Sequence, residues 1–195
     1  MFGIINQNAL VKEKRSDFLK KCCFTGYRPQ KFPFSLNKEN IEYRTFEDDL
    51  IIQILELVNQ GCSVFYSGMA MGFDIIAAEA VLFIKKTHKT PIKLICVIPF
   101  QEQSKSFDDY WKEKYSNILE VCDEKIVLSE EYHKNCYRER NEYMVKNSDY
   151  VITWFDGRPG GTKNTLDYAA RQGRYIFNIN KKSENYAVQT FFDII

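Results

Sequence analysis

The sequence has few of the residues that build metal sites, and it lacks paired cysteine motifs. Among 195 residues there are six cysteines and two histidines, and no two cysteines are spaced as C-x-x-C. This pattern argues against a zinc site and a disulfide framework, and no cofactor is indicated. We interpret the cysteines as small, reduced, mostly buried hydrophobic residues. Reduced thiols favour a cytoplasmic location.

Long apolar runs are also absent. No stretch approaches the ~20 apolar residues that a membrane-spanning helix needs. The first residues, Met1 to Gln7, lack the charged region and apolar stretch of a secretory signal. We therefore expect no membrane partner.

The chain has almost no excess of charge. Lys and Arg total 27 and Asp and Glu total 26, so the net charge is +1. Such a balance provides no overall attraction to a phosphate backbone, which argues against a nucleic-acid partner. Hydrophobic residues make up 45% of the chain, which suits one domain with a sizeable core. A homo-oligomer is left open.

Apolar strands and amphipathic helices alternate along the sequence. We predict an N-terminal extension at 1–20 and a single Rossmann-like domain at 21–195, with an amphipathic tail at 186–195. The fold class is α/β, a mostly parallel open sheet with helices on both faces. The predicted strands are 21–24, 62–66, 91–98, 125–128, 149–155 and 174–179, and the predicted helices are 41–60, 72–87, 101–122, 134–147 and 162–172.

Two glycine-rich loops join a predicted strand to a predicted helix. Residues 67–74 read SGMAMGFD, and residues 156–162 read DGRPGGT. Glycine lets backbone N–H groups approach an anion, and a helix N-terminus provides unpaired donors. Both loops should lie at the carboxyl edge of the sheet, where open α/β folds bind ligands. We therefore predict one phosphate-type pocket formed by both loops.

These motifs resemble a known superfamily. The run from Ser67 to Asp74 resembles the SG-x-A-x-G-x-D loop of DprA/Smf proteins. Arg140 and Met144, then Ser148-Asp149, then Pro159 to Gly161 with Thr165 resemble the R-x-x-x-M, S-D and P-G-G-x-G-T run of the LOG phosphoribohydrolases. Both groups belong to the SLOG superfamily of Rossmann-like nucleotide-binding domains. Thr25-Gly26-Tyr27-Arg28-Pro29 is most similar to its YpsA-like branch, and the resemblance covers roughly residues 21–180.

The resemblance to LOG enzymes breaks at their catalytic acid. Their motif continues P-G-G-x-G-T-x-x-E, whereas this chain has one inserted residue and Asn164 in place of a glycine. When Thr165 is aligned, Tyr168 occupies the position of the glutamate. Whether the chain is an enzyme is therefore uncertain. Weak candidates for a replacement acid are Glu79, Asp74 and Asp167.

Arg140 is the most informative candidate for ligand binding. It lies on or beside the apolar stripe that contains Tyr137 and Met144, which should pack inward, so its guanidinium needs a partner. A ligand phosphate or carboxylate suits a bidentate guanidinium, and an ion pair with a protein carboxylate is the alternative. The predicted ligand-binding residues are Gly26, Tyr27, Arg28, Ser67, Gly68, Gly72, Asp74, Arg140, Asn141, Gly160, Gly161, Thr162 and Thr165.

Structural roles compete at most of these positions. The glycines 68 and 72 could serve helix packing, and Ser67 could serve a turn or cap. Asp74 suits the positive end of a helix, and Asp167 suits an exposed charge ladder with Lys163 and Arg171. Tyr27 and Arg28 either contact a base and a phosphate or pack within their loop.

Three functions compete. The first is a binding or sensing module for a nucleotide or nucleotide derivative. The second is hydrolysis of a nucleotide N-glycosidic bond, and the third is DprA-like binding of single-stranded DNA, which the net charge weakens. The sequence does not specify which nucleotide-type small molecule would bind.

Overall fold

The structure, a computed structural model, describes residues 19–181 and contains a six-stranded parallel sheet in the order β4-β3-β2-β1-β5-β6. The strands are β1 (Lys20–Thr25), β2 (Cys62–Ser67), β3 (Lys93–Ile98), β4 (Glu124–Val127), β5 (Tyr150–Thr153) and β6 (Tyr175–Asn178). The helices are α1 (Ile41–Asn59), α2 (Phe73–Thr87), α3 (Asp109–Val121), α4 (Cys136–Lys146) and α5 (Gly161–Arg171). The predicted Rossmann-like α/β fold is confirmed.

The strand order reverses direction at β1. Strands β1 to β4 follow one another toward one edge, and β5 then returns to pair with the other side of β1. With right-handed crossovers, α1 to α3 cover one face and α4 and α5 cover the other. Helix α1 packs on α2, and α4 packs on α5. A crevice at the carboxyl ends of β1 and β5 is the expected ligand position in such a sheet.

The core lies in the middle of the sheet and under α1 and α2. Helix α1 buries one stripe at helical spacing, formed by Tyr43, Phe46, Leu50, Ile54 and Leu57. Its start is fixed by the Asn40 side chain, which accepts hydrogen bonds from the N–H groups of Glu42 and Tyr43 at 2.8 and 3.2 Å. The stripe orients α1 on the sheet and leaves its other side exposed.

The prediction of one helix over 101–122 was wrong at its start. Residues Gln103–Ser106 form a short 3-10 turn, and α3 begins only at Asp109. Phe107 and Asp108 are extended, and the Asp108 carboxylate accepts a hydrogen bond from the N–H of Trp111 at 3.1 Å. Asp108 is therefore an N-cap that starts a new helix, a role that the apolar spacing alone does not reveal.

Several predicted boundaries shift by one or a few residues, and the predicted loop at 27–40 contains a 3-10 turn at Pro29–Lys31. Lys20, placed in the predicted extension, is the first residue of β1. Residues 1–18 of that extension and the predicted tail at 186–195 lie outside the described residues. Within 19–181, no helix combines the length and apolar character needed to cross a membrane.

Candidate functional site

A cavity of about 230 Å³ opens at the crevice between the carboxyl ends of β1 and β5. It receives residues from the loop after β1, the loop after β2, and the N-terminal turns of α4 and α5. Its lining is Thr25, Gly26, Tyr27, Arg28, Lys31, Ala70, Asp74, Tyr137, Arg140, Asn141, Gly161 and Thr162. We call this space the crevice cavity.

The N-terminus of α5 forms one wall of the crevice cavity. Gly160 precedes the helix with φ +144° and has no side chain to cap it. The N–H groups of Gly161 and Thr162 find no acceptor among residues 19–181. The Thr162 hydroxyl donates to the carbonyl of Gly26 at 2.9 Å and so ties the start of α5 to the loop after β1. Unpaired donors at the positive end of a helix favour an anion.

Arg140 crosses from α4 to the loop after β2 and is almost fully buried. Its Nη1 donates to the carbonyl of Gly68 and lies 3.6 Å from the Asp74 carboxylate. Its Nε donates to the Asn141 side chain at 2.8 Å. Arg140 thus lines the crevice cavity, but its Nε and Nη1 already donate to protein groups.

Asp74 shares this buried environment. Burial raises the pKa of the Asp74 carboxyl, and the guanidinium groups of Arg140 and Arg28 oppose that rise. Burial also lowers the pKa of Arg140, against the attraction of Asp74. Two charges buried together are costly to desolvate, so each partner depends on the other.

Asn141 extends the network from α4 to α5. Its Nδ2 donates to the Thr165 hydroxyl at 2.8 Å, and that hydroxyl donates to the carbonyl of Gly161 at 2.9 Å. Together with the Arg140 contacts, a continuous chain of hydrogen bonds runs from the loop after β2 to the first turn of α5. These hydrogen bonds therefore connect the two glycine loops and fix their relative positions at one edge of the sheet.

Positive charge exceeds negative charge around the crevice cavity. Three cationic side chains, Arg28, Lys31 and Arg140, line it with one carboxylate, Asp74, for a net charge of +2. The Arg28 guanidinium lies 5.9 Å from the ring centroid of Tyr137 and has no hydrogen bond or ion pair among residues 19–181. Arg28 is half-buried and is the cation most available to a ligand.

Ser67 and Gly68 shape the loop after β2 from inside. The fully buried Ser67 hydroxyl donates to the carbonyl of Asp74 at 2.8 Å and accepts from the N–H of Met69 at 3.1 Å. Gln103, missed by the sequence reasoning, donates its side-chain amide to the carbonyl of Met69 at 2.6 Å. A Cβ on Gly68 would lie 1.9 Å from Nη1 of Arg140, so that position must be glycine for Arg140 to reach the loop.

Gly72 brings this loop against the loop after β1. It has φ +88°, and a Cβ there would lie 2.5 Å from the carbonyl oxygen of Tyr27. Tyr27 itself is buried against Phe32, Trp154 and Phe155, and its hydroxyl donates to the Asp156 carboxylate. The packing role considered for Tyr27 is therefore present, while part of the residue still reaches the cavity.

The three candidates for a replacement acid occupy different places. Glu79 lies in a 670 Å³ cavity on the α1–α3 face, where both carboxylate oxygens accept from Lys114 at 2.6 and 2.8 Å. Asp167 pairs with Lys163 at 2.6 Å, one helical turn away. Of the three, only Asp74 lines the crevice cavity.

Another cavity, of about 420 Å³, lies between α4 and α5 and shares Tyr137, Asn141 and Gly161 with the crevice cavity. We call it the interhelical cavity. It contains Thr165, Asp167 and Tyr168, the residue aligned with the LOG glutamate, together with Arg138, Glu142, Asn164 and Arg171.

Eight of the predicted ligand-binding residues line the crevice cavity: Gly26, Tyr27, Arg28, Asp74, Arg140, Asn141, Gly161 and Thr162. Ser67, Gly68, Gly72 and Gly160 shape its walls from behind. The predicted ligand-binding residues do not include three others of the lining, Thr25, Lys31 and Ala70. The sequence pattern assigned Tyr137 to the core, although that ring is only half-buried and lines the cavity. A stripe at helical spacing cannot distinguish the core from a cavity wall. Among residues 19–181, no group of His, Cys, Asp and Glu could hold a metal ion.

Two bacterial proteins illustrate the relatives of this chain. The UPF0398 protein BH1768 of Halalkalibacterium halodurans is 31% identical over 160 residues, which cover 79% of this chain and 82% of the relative. The uncharacterized SPbeta prophage-derived protein YoqJ of Bacillus subtilis is 33% identical over 138 residues, which cover 64% and 80%.

Solved structures of DNA processing protein A (DprA) have a similar fold. The protein from Streptococcus pneumoniae gives a TM-score of 0.54 at 23% identity, with 82% of this chain covered and 50% of the other. DprA from Helicobacter pylori, whose structure was described for its single-stranded DNA binding mode, gives 0.54 at 22% identity, with 82% and 64% covered. This chain thus spans half to under two thirds of those chains, and the likeness concerns the fold alone.

A family model matches the part of the chain that contains both glycine loops. The model of the YspA SLOG family (YpsA) matches residues 22–189, which include every strand and helix after the first two residues of β1. The chain therefore belongs to the YspA SLOG family.

Proposed function

We propose that this protein binds a nucleotide or a nucleotide derivative and serves as a binding or sensing module. The observation that carries the proposal is the crevice cavity, which is lined by the Arg28 side chain, without a hydrogen bond or ion pair among residues 19–181, and by the N-terminus of α5, which has no side-chain cap. A guanidinium and helix N–H groups are two independent kinds of phosphate donor. We place this activity in the cytoplasm, because all six cysteines are free thiols.

The size of the cavity supports binding of part of a ligand there. Whole small-molecule sites usually measure ~300–1,000 Å³, and the crevice cavity measures about 230 Å³. A phosphate group suits that space and the net charge of +2. The remainder of the ligand would then extend into the interhelical cavity or over the rim of the crevice.

The alternatives have less support at this site. The glutamate that LOG enzymes carry is Tyr168 here, and Glu79 and Asp167 are each paired with a lysine outside the crevice cavity. For single-stranded DNA, the similarity to DprA structures concerns the fold, and DNA binding would need a longer basic groove.

The test is a thermal-shift and calorimetric screen of the full chain with inorganic phosphate, AMP, ADP-ribose, NAD and cyclic AMP. A compound at 100 times its Kd should stabilise the fold by ~2.7 kcal/mol. Arg28→Ala should weaken binding of the active compound roughly 10- to 150-fold, the value of a charge-assisted hydrogen bond. It should leave the apo protein nearly as stable as wild type, since the Arg28 side chain has no hydrogen bond or ion pair among residues 19–181 and its backbone bond to Lys31 is kept.

Arg44→Ala is the matched control, because it removes the same charge from an exposed position on α1, across the sheet. Equal losses in the two variants would mean that only the overall charge matters and would contradict the proposal. Salt-sensitive retention of an oligo-dT strand with no response to any mononucleotide would favour DNA binding instead.

A further inference from the structure

Three aromatic rings cluster near the carboxyl ends of β3 and β4: Phe100 follows β3, Tyr132 follows β4, and Tyr137 lies at the start of α4. The ring of Phe100 lies 5.5 Å from Tyr132 and 5.9 Å from Tyr137, and the two tyrosine rings are 6.3 Å apart, all between centroids. Phe100 is buried and packs edge-on against both tyrosines, whereas Tyr132 is 63% exposed. We call these three residues the aromatic platform.

The aromatic platform is continuous with the crevice cavity. Tyr137 belongs to the platform and also lines the cavity. The Arg28 guanidinium lies 5.9 Å from the centre of the Tyr137 ring. A ligand phosphate held by Arg28 would therefore bring the rest of the ligand close to exposed ring surface.

The interhelical cavity is less suited to a planar ring. Four of its residues are charged: Arg138, Glu142, Asp167 and Arg171. Its other aromatic side chain, Tyr168, already has the Arg171 guanidinium 5.9 Å from its ring centre. Inserting an uncharged ring there would separate charged groups from water or from each other. On the aromatic platform, Arg28 lies over Tyr137, but among residues 19–181 no cationic side chain lies over the exposed ring of Tyr132, so a base can stack there without displacing one.

We propose that the aromatic platform is the subsite for the planar base of the ligand whose phosphate occupies the crevice cavity. The inference rests on the proposed function and narrows it to phosphorylated compounds that carry an aromatic base. Tyr132 supplies the exposed stacking face, Tyr137 joins the two subsites, and Phe100 packs against both rings. Stacking accepts any base, so the platform would strengthen binding without selecting adenine over guanine.

The test compares two probes that differ by the base alone, AMP and ribose 5-phosphate, by isothermal titration calorimetry. The wild-type protein should bind AMP more tightly. Tyr132→Ala should reduce AMP affinity about tenfold, within the roughly 5- to 150-fold range of one stacked base, and should leave ribose 5-phosphate affinity unchanged. Tyr132→Phe keeps the ring and should retain AMP affinity.

Two further variants complete the design. Tyr110→Ala removes another exposed tyrosine, on α3 across the sheet, and should have no effect on either probe. Tyr168→Ala reports on the interhelical cavity and should leave the preference for AMP intact. Because Tyr132 is exposed, its loss should not threaten folding.

Each remaining outcome is decisive. Loss of the AMP preference in Tyr168→Ala but not in Tyr132→Ala would place the base in the interhelical cavity and overturn the inference. An unchanged preference in both variants would also overturn it, while leaving the proposed function standing. If the wild-type protein binds neither probe, nor any compound of the nucleotide screen, the proposed function itself fails.

Discussion

Replacement of Arg140 by alanine decides whether this side chain stabilises the fold or serves the ligand. In the structure its Nη1 lies 3.6 Å from the Asp74 carboxylate, and the exposed fractions of the two side chains are 5% and 7%. The same guanidinium donates to the carbonyl of Gly68 and to the Asn141 side chain. Arg140→Ala would leave the Asp74 charge and the Gly68 carbonyl without this partner.

The expected loss is large for a single substitution. Removing one member of a buried ion pair typically costs ~3–5 kcal/mol, because the remaining charge stays desolvated. For a chain of this size, 1 kcal/mol corresponds to roughly 2–4 °C in Tm, so the apo protein should melt about 6–20 °C lower. If Arg140 acted only on the ligand, the apo protein would be unchanged and nucleotide affinity would fall by ~1.5–3 kcal/mol.

The pH dependence of stability provides a second test of Arg140→Ala. Burial already raises the pKa of Asp74 in the folded protein, and Arg140 limits that rise. Without Arg140 the folded-state pKa should rise further, so the folded state takes up a proton more readily than the unfolded chain. A raised pKa favours stability at low pH, and this contribution is lost as the pH rises through the folded-state value. The deficit of Arg140→Ala relative to wild type should therefore be smaller at pH 5 than at pH 8.

Chemical unfolding at both pH values, with a double-mutant cycle, checks these numbers. Asp74→Asn removes the orphaned charge, so the double variant should recover part of the stability that Arg140→Ala loses. Arg138→Ala is the control, since this neighbour on α4 is 67% exposed and its 3.7 Å pair with Glu142 should contribute at most ~1 kcal/mol. Unchanged apo stability of Arg140→Ala, together with weakened phosphate binding, would refute the structural reading.

Two further predictions concern the glycine loops and the altered family motif. Gly68→Ala should destabilise the apo protein by ~2 kcal/mol or more in denaturant unfolding, because its Cβ would lie 1.9 Å from Arg140 Nη1. Gly161→Ala is the control and should be nearly neutral, because nothing lies within 4 Å of its Cβ. Equal losses of stability in the two variants would contradict the predicted clash. The protein should release no free adenine from AMP at enzyme-like rates, because Tyr168 occupies the glutamate position and acid–base help is worth ~10²–10⁴-fold. Turnover of several molecules per second in a chromatographic assay would revive the hydrolase hypothesis.

Much of the architecture could be read from the sequence because it depends on local patterns. The buried stripe from Tyr43 to Leu57 identifies a helix by its spacing, and the short continuous apolar run around Ile95 is typical of a buried parallel strand. Alternation of such segments permits essentially one arrangement, a parallel sheet with right-handed crossovers. In such a sheet, the carboxyl ends of all strands meet at one edge, so both glycine loops come together. The fold and the general position of the candidate site follow from this.

Which atoms satisfy each polar side chain was decided only by the tertiary structure. The period of α4 indicated that Arg140 needs a partner, but Asp74 lies 66 positions earlier in the chain. Lys31 reaches the cavity through the path of a long loop, and Tyr137 lies at a cavity wall in the first turn of α4. A periodic pattern reports which side of a helix faces inward. The identity of the atoms it meets depends on how helices and loops distant in sequence pack together.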